Sequence, residues 1–341
     1  MDLMSERSSE MDDQKLLAKR KNEKFAILLG IFAQFLWALN GVQMKTFRRY
    51  FPDSYTDHSV LFWRMFVIIL IGYSLWKYKR VHIQSMSELK HLKWFLCRNA
   101  TGYIFINCWL QTFLYFRVST ISVIGGTVPL VVIILSVFLI GEKFYVRYIV
   151  GVFLCIFGCC IIIFNDQKPQ SKTQILKDNV FLGIIFGLGN IILSGLSNVG
   201  QKVLTKEGMD IDLQNYYFGV FNCVPAFIIG LLIGEFRLNN INYILYVSTN
   251  GLIFYLATYL TGVCLKYIAV SKFQPITYLM IVFTFILCAI LLGEPVFFTD
   301  VIGAAIIICF QYYNFIYPPG RVVTEINEKE SNINTENDAK L

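Results

Sequence analysis

The sequence has 341 residues, of which 56% are hydrophobic and only 16% are charged, and its formal net charge is +7. So apolar a composition excludes an ordinary soluble domain and predicts that lipid surrounds most of the chain. Nucleic acid is not an expected partner, because the Lys and Arg residues stand mostly in short segments between apolar runs, a placement that sets membrane topology.

Apolar runs long enough to cross a bilayer recur along the chain, since about twenty helical residues span the hydrocarbon core. Nearly solid apolar segments such as residues 131–140 favour helices, because barrel strands would alternate apolar and polar residues. The predicted fold class is all-α integral membrane, with about ten transmembrane helices. In chain order the predicted spans are residues 25–44, 59–76, 94–116, 121–140, 148–164, 180–199, 216–234, 246–265, 273–292 and 301–317.

The longest polar break between spans divides the chain into two halves of five spans each. The predicted units are a tail of residues 1–24, a first repeat of residues 25–164, a linker of residues 165–179, a second repeat of residues 180–317 and a tail of residues 318–341. The Lys-rich and Arg-rich connections predict that both termini are cytoplasmic, because positively charged loops favour that side. The sequence does not distinguish the plasma membrane from an internal membrane.

An internal repeat links the ends of the two halves. Residues of the first half recur 152 positions later: Tyr115, Val118, Ser119, Gly141, Glu142 and Gly151 match Tyr267, Val270, Ser271, Gly293, Glu294 and Gly303. An odd number of spans in each half gives the second copy the opposite orientation in the membrane. Such an inverted repeat is typical of secondary transporters.

Residues 114–151, with the sequence LYFRVSTISVIGGTVPLVVIILSVFLIGEKFYVRYIVG, resemble the EamA-like drug/metabolite transporter superfamily, near the solute carrier families related to nucleotide-sugar transporters. The family's proline before Gly-Glu is matched by Pro129 in the first copy, whereas Ile281 takes its place in the second. The resemblance implies two EamA-type repeats of five helices, with Gly141, Glu142, Gly293 and Glu294 as a structural signature. In the family the fifth and tenth helices can form a dimer contact, so a homodimer is one expected assembly.

Four predicted spans carry small or polar residues at steps of three or four, which places these residues on one helix face. The candidates for a substrate cavity are Tyr103, Asn107 and Gln111 in the third span, Asn190, Ser194 and Asn198 in the sixth, Asn222 in the seventh, and Tyr255 and Thr258 in the eighth, with Lys266 at its end. The competing interpretation is close helix packing with amides that bond across helices. The occurrence of such faces on four helices together favours the cavity.

Arg64 stands among apolar residues in the second predicted span. A guanidinium there costs about 2.5–3.5 kcal/mol unless it is paired or hydrated. It either faces the cavity, where its planar fork binds an anion, or snorkels to the membrane surface. Trp37 and Asn40 in the first span are expected to add stacking and hydrogen bonds beside it.

The sequence contains no motif for hydrolytic, covalent or nucleotide-driven chemistry, so we expect neither an enzyme nor a cofactor or metal site. The expected function is secondary transport of a small organic solute across a lipid bilayer, by alternating access around a central cavity. Two alternatives stay open. One is a nucleotide-sugar or organic-phosphate antiporter with Arg64 and Lys266 as ligands, and the other is a non-transporting membrane scaffold whose polar tails bind partners.

Overall fold

The computed structural model describes residues 2–51, 56–79, 92–140, 150, 153–154, 157–158, 160–161, 179–236, 241–267, 276–294 and 296–316, and every regular element within these ranges is a helix. In chain order the helices are α1 (Asp2–Tyr50), α2 (Asp57–Tyr78), α3 (Leu92–Thr112), α4 (Val118–Gly125), α5 (Val128–Ile140), α6 (Val180–Lys206), α7 (Ile211–Leu232), α8 (Ile241–Tyr267), α9 (Leu279–Leu287) and α10 (Phe298–Ile316). A π-helical turn, Cys288–Leu292, continues α9. Residues 165–178 of the predicted linker and the whole predicted C-terminal tail lie outside the described ranges.

Several of the described helices are long and apolar enough to cross a membrane, which indicates a multi-pass membrane protein. There are six such stretches: Asn22–Tyr50, Asp57–Tyr78, Val118–Leu139, Val180–Thr205, Ile211–Leu232 and Ile241–Cys264. Leu279–Leu292 and Phe298–Phe310 are shorter apolar helices. The predicted ten spans are therefore not confirmed. Helix α3 is not among the six because Arg98, Asn99 and Gln111 make it more polar, and most of residues 148–164 lies outside the described part of the chain.

Helices from the two halves pack against each other throughout the bundle. Helix α1 packs along α8, α2 along α7, and α3 along α6, while α4 contacts α9. In the repeat, α1 corresponds to α6, α2 to α7, α3 to α8 and α4 to α9. If the two halves are exchanged, the α1–α8 contact becomes the α6–α3 contact, and the α2–α7 and α4–α9 contacts remain the same pairs. This packing is the arrangement expected of two inverted repeats.

The fourth span is broken, and the second copy repeats the break. Helices α4 and α5 are separated at Gly126 and Thr127, where Pro129 has no N–H to donate to the carbonyl four residues earlier. In the second copy the helix is interrupted at Tyr278, which lies 152 residues after Gly126. The break therefore persists although Ile281 replaces the proline. The two breaks also pack together, since a Cβ on Gly126 would lie 2.7 Å from Cδ1 of Ile281.

The bundle has two ends, which we name after residues that lie there. At the Tyr50 end, α1, α3 and α7 finish and α2, α4, α6, α8 and α10 begin. At the Lys79 end, α2 and α6 finish and α3 and α7 begin. Which of these ends faces the cytoplasm stays a prediction.

Candidate functional site

Arg64 lies inside the helix bundle, where only 1% of its surface is exposed. Its Cζ is 4.1 Å from the centroid of the Phe254 ring and 5.4 Å from that of Trp109. Nη2 of Arg64 donates a hydrogen bond of 3.3 Å to Oδ1 of Asn40. The guanidinium therefore packs between groups from α1, α3 and α8, and cation–π attraction offsets part of its desolvation. It does not extend to the surface, as the snorkelling interpretation requires.

Asn40 also connects α1 to α8 through reciprocal amide bonds. Nδ2 of Asn40 donates to the backbone oxygen of Asn250 at 3.4 Å, and Nδ2 of Asn250 donates to the backbone oxygen of Asn40 at 3.2 Å. The Asn250 amide also donates to Oε1 of Gln43 at 3.1 Å, and Gln43 donates to Oγ1 of Thr249 at 2.7 Å. These bonds fix the orientation of the acceptor that Asn40 presents to Arg64.

Trp37 completes this group of side chains. Its ring meets Phe254 edge to face at 5.1 Å between centroids, and its indole N–H points to Oγ1 of Thr261 at 3.5 Å. The structure thus brings the predicted Trp37, Asn40 and Arg64 together. We give the name Arg64 cluster to six residues: Trp37, Asn40, Arg64, Trp109, Asn250 and Phe254. The last three of these were not predicted.

Several other predicted polar residues hydrogen-bond within their own helices. The donors and backbone acceptors are Asn107 to Tyr103 at 2.8 Å, Ser194 to Ile191 at 3.2 Å, Asn222 to Phe218 at 2.6 Å and Thr258 to Phe254 at 3.0 Å. Such bonds satisfy the side chain locally, one turn back along the helix. They do not themselves join one helix to another.

The predicted polar face of α6 is only partly buried. Gly183 and Gly187 face the end of α3 and the segment after it, and Asn190 on the same face is buried. Asn198 is exposed instead. Eight residues at about 100° each turn the side chain by about 80° beyond two full turns, which carries Asn198 away from the buried face.

At the Tyr50 end, two predicted residues of α3 reach the first turn of α2. The hydroxyl of Tyr103 lies 3.3 Å from Nδ1 of His58, and Gln111 donates a short hydrogen bond to Asp57. Nη2 of Arg48 is 3.5 Å from the other oxygen of the same carboxylate. Polar groups of α1, α2 and α3 therefore meet at this end.

At the Lys79 end, Tyr255 donates a hydrogen bond of 2.5 Å to Oδ1 of Asp212, a fully buried carboxylate that sequence reasoning missed. Lys79 forms an ion pair with the other oxygen and lies 5.3 Å from the centroid of the Tyr259 ring. Burial opposes protonation of Lys79, but its hydrogen bond to Asp212 and the charge of that carboxylate raise the lysine pKa above its usual value. Tyr103 and Tyr255 are 152 residues apart, so the repeat extends into the third and eighth spans.

Two further buried cations were missed. Nη1 of Arg98 donates to Oε1 of Gln214 at 2.6 Å, and Nη2 of Arg117 lies 3.3 Å from Oδ1 of Asp300. Asp300 stands in apolar surroundings in the sequence, which is the signal that singled out Arg64, whereas the polar Asn99 and Thr101 follow Arg98. Arg117 lies between the predicted third and fourth spans, so the sequence did not predict that its side chain is buried.

The second signature pair lies at the end of the π-helical turn. Gly293 has a φ of +65°, which favours glycine, and the N–H of Glu294 donates to the carbonyl of Cys288 at 3.2 Å. Gly141 and Glu142 lie outside the described residues, as does the side chain of Lys266. Within the described ranges, no group of three His, Cys, Asp or Glu side chains is placed to hold a metal ion.

Comparisons with known proteins agree with this architecture. The model of the EamA-like transporter family matches residues 24–164 and again residues 181–314, which confirms the predicted pair of EamA-type repeats. One solved structure, a crystal structure of a protein, is similar to this one with a TM-score of 0.60 and 13% sequence identity. The similar region covers 84% of this chain and 95% of the other chain. Identity that low shows a shared fold alone. A search of curated proteins gives no significant match.

Proposed function

Because the chain belongs to the EamA-like transporter family, we propose that it is a secondary transporter of a small organic solute of the drug/metabolite type. Its two repeats open a central cavity to each side of the membrane in turn, with the solute held between them. The Arg64 cluster is the observation that carries this proposal.

The Arg64 cluster draws side chains from both halves of the protein. Arg64, Asn40 and Trp109 belong to α2, α1 and α3 of the first half, whereas Asn250 and Phe254 belong to α8 of the second. A solute bound here touches both halves, so a movement of one half against the other changes which side of the membrane it can reach. The cluster combines a cation, aromatic faces and amides, which together suit a planar polar group.

The test is flux of radiolabelled metabolites into proteoliposomes, with wild type compared to Arg64→Gln and Arg64→Lys. Arg64→Gln removes the charge, and we expect it to lower flux at least about tenfold, the loss of one charge-assisted hydrogen bond of about 1.4 kcal/mol or more. Arg64→Lys keeps the charge but loses the planar fork and its stacking, so we expect an intermediate rate.

Arg49 provides the matched control, since it is exposed at the end of α1. Arg49→Gln also removes one positive charge, at the Tyr50 end of the bundle, and we expect flux equal to that of wild type. Equal flux in wild type and Arg64→Gln would refute the role of the cluster. No flux of any metabolite class by the wild-type protein would refute the carrier itself and favour the scaffold.

A second candidate function is antiport of an organic phosphate or nucleotide sugar. The buried guanidinium favours it, because arginine binds phosphate through two parallel N–H bonds. An antiporter predicts that unlabelled phosphate ester inside the vesicles accelerates uptake of labelled substrate from outside. Uptake that is independent of the internal solute would exclude this candidate and leave the broader carrier.

A further inference from the structure

Asp212 is a buried carboxylate with ligands from two other helices. It lies in the first turn of α7 at the Lys79 end, and its side chain is 0% exposed. Tyr255 of α8 donates to one carboxylate oxygen, and the ammonium group of Lys79, just after α2, pairs with the other. A buried carboxylate needs a positive partner, and here that partner comes from a neighbouring helix end.

The groups around Asp212 resemble the environment in which proteins hold an ammonium ion. The charged and titratable groups that face it are Lys79, Tyr255, Tyr259 and, at the N-cap of α7, Asp210. The ammonium group of Lys79 lies 5.3 Å from the centroid of the Tyr259 ring, so it receives both a carboxylate and an aromatic face. These are the two features that bind ammonium groups most strongly.

The Lys79 ion pair differs from the other buried pair in one respect. The side chains of Arg117 and Asp300 are 2% and 1% exposed, so neither has access to water. In the Lys79 pair, the carboxylate is fully buried but the lysine side chain is 36% exposed. Lys79 can therefore exchange its partner for water at little cost, provided that another cation takes its place on Asp212.

We propose that Asp212, Tyr255 and Tyr259 form a binding position for the ammonium group of an organic amine, and that Lys79 occupies this position as an intramolecular competitor. Exchange of one cation for another leaves no uncompensated charge on Asp212. This inference rests on the proposed function in one respect, because an amine that displaces Lys79 releases α2 from α7 and so permits that end of the carrier to open. At the opposite end, the described contact of the repeat-related Tyr103 is with His58, whereas that of Tyr255 is with a carboxylate.

The test uses n-butylammonium, which is the free equivalent of the lysine side chain. Thermal unfolding of the purified full-length protein in detergent is followed at neutral pH with increasing n-butylammonium chloride, because a ligand of the native state raises the unfolding temperature. The variants are Lys79→Ala, Lys79→Met, and each of these combined with Asp212→Asn. The neutral analogue n-butanol controls for apolar binding, and Lys77→Ala controls for the loss of an exposed lysine from the same helix end.

The tethered ammonium competes at an effective concentration in the millimolar range or above. We therefore expect n-butylammonium to bind Lys79→Ala with an apparent Kd at least about tenfold below that of wild type and of Lys77→Ala. Asp212→Asn should abolish the response, and n-butanol should produce none. Lys79→Met keeps an apolar stem at this position. If Lys79→Ala does not fold, Lys79→Met must show the same lower Kd for n-butylammonium relative to wild type and Lys77→Ala.

Equal responses of wild type and the Lys79 variants, or a response that survives Asp212→Asn, would overturn the proposal and make the pair a purely structural bridge. Binding is measured without a gradient or a vesicle. Its failure therefore leaves the carrier proposal intact, and a failure of solute flux leaves the amine position intact.

Discussion

The buried ion pair between Arg117 and Asp300 allows a quantitative test of the packing at the Tyr50 end. Arg117 precedes α4 and Asp300 lies in the first turn of α10, so the pair joins two helix starts that are 183 residues apart in sequence. Asp300 also accepts a hydrogen bond of 3.0 Å from the N–H of Phe297, and the Phe297 ring lies 4.9 Å from Cζ of Arg117. Removal of either charge leaves the other inside the protein.

The expected cost follows from this burial. Both side chains are at most 2% exposed, so solvent does not screen the charge that remains. Loss of one partner of such a pair costs about 3–5 kcal/mol. Replacement of both by apolar residues of similar volume avoids the unpaired charge and is often nearly neutral. We therefore expect Arg117→Met and Asp300→Leu each to destabilise the protein strongly, and the double variant to recover most of the loss.

The measurement is the apparent unfolding temperature of each variant in the same detergent at one scan rate, because unfolding of a membrane protein is not assumed to be reversible. Arg49→Met, at an exposed arginine, is the control for the change in net charge. Additive losses in the double variant would refute the reasoning, since they would mean that the two side chains are stabilised by separate contacts.

Three further outcomes are expected from the described contacts. Gly251→Ala places a Cβ 2.7 Å from the backbone oxygen of Arg64, so overpacking should destabilise the protein by about 1–3 kcal/mol and lower its unfolding temperature. An unchanged unfolding temperature would mean that α2 and α8 are not in close contact. Asn40→Ala should cost about 1 kcal/mol or more, whereas Asn198→Ala at an exposed position should change the unfolding temperature little; the reverse order would contradict the structure. The ion pair with Asp212 raises the pKa of Lys79. The extra stability of wild type over Lys79→Met should therefore be complete below the usual lysine pKa of about 10.4 and should be lost only as pH rises beyond that value. A loss of this extra stability between pH 7 and 9 in unfolding scans would argue against the raised pKa.

The sequence predicted the helical membrane class and the paired repeats, because the length of an apolar run and the recurrence of Gly-Glu 152 residues later are visible without knowledge of the packing. The ten predicted spans are not confirmed by the described helices. Helix α3 carries enough polar side chains to fall short in hydropathy, since its polar residues contact other helices rather than lipid. The sequence also left the position of the break at Tyr278 open, because Ile281 stands where the first copy has Pro129 and the nearest proline, Pro275, lies earlier in the chain.

The candidate site divides in the same way. Arg64 was found because a charge inside an apolar run is conspicuous, and Asn40 and Trp37 do lie beside it. Phe254 and Asn250 were missed because an aromatic ring or an amide in an apolar helix gives no sign of its partner about 200 residues away. Asp212 stands close to a connection between spans in the sequence, and only the packing of α2 and α8 against α7 shows that it is buried.

A carrier that exposes one site to each side of the membrane in turn, as we propose for this protein, produces counterflow. Proteoliposomes are loaded with an excess of an unlabelled solute, diluted, and supplied with a trace of the same solute carrying a label. A carrier accumulates the label transiently above its equilibrium level, and we predict such an overshoot for wild type and Arg49→Gln but not for Arg64→Gln. Label that rises only to equilibrium, at the same rate in all three proteins, would refute alternating access through the Arg64 cluster.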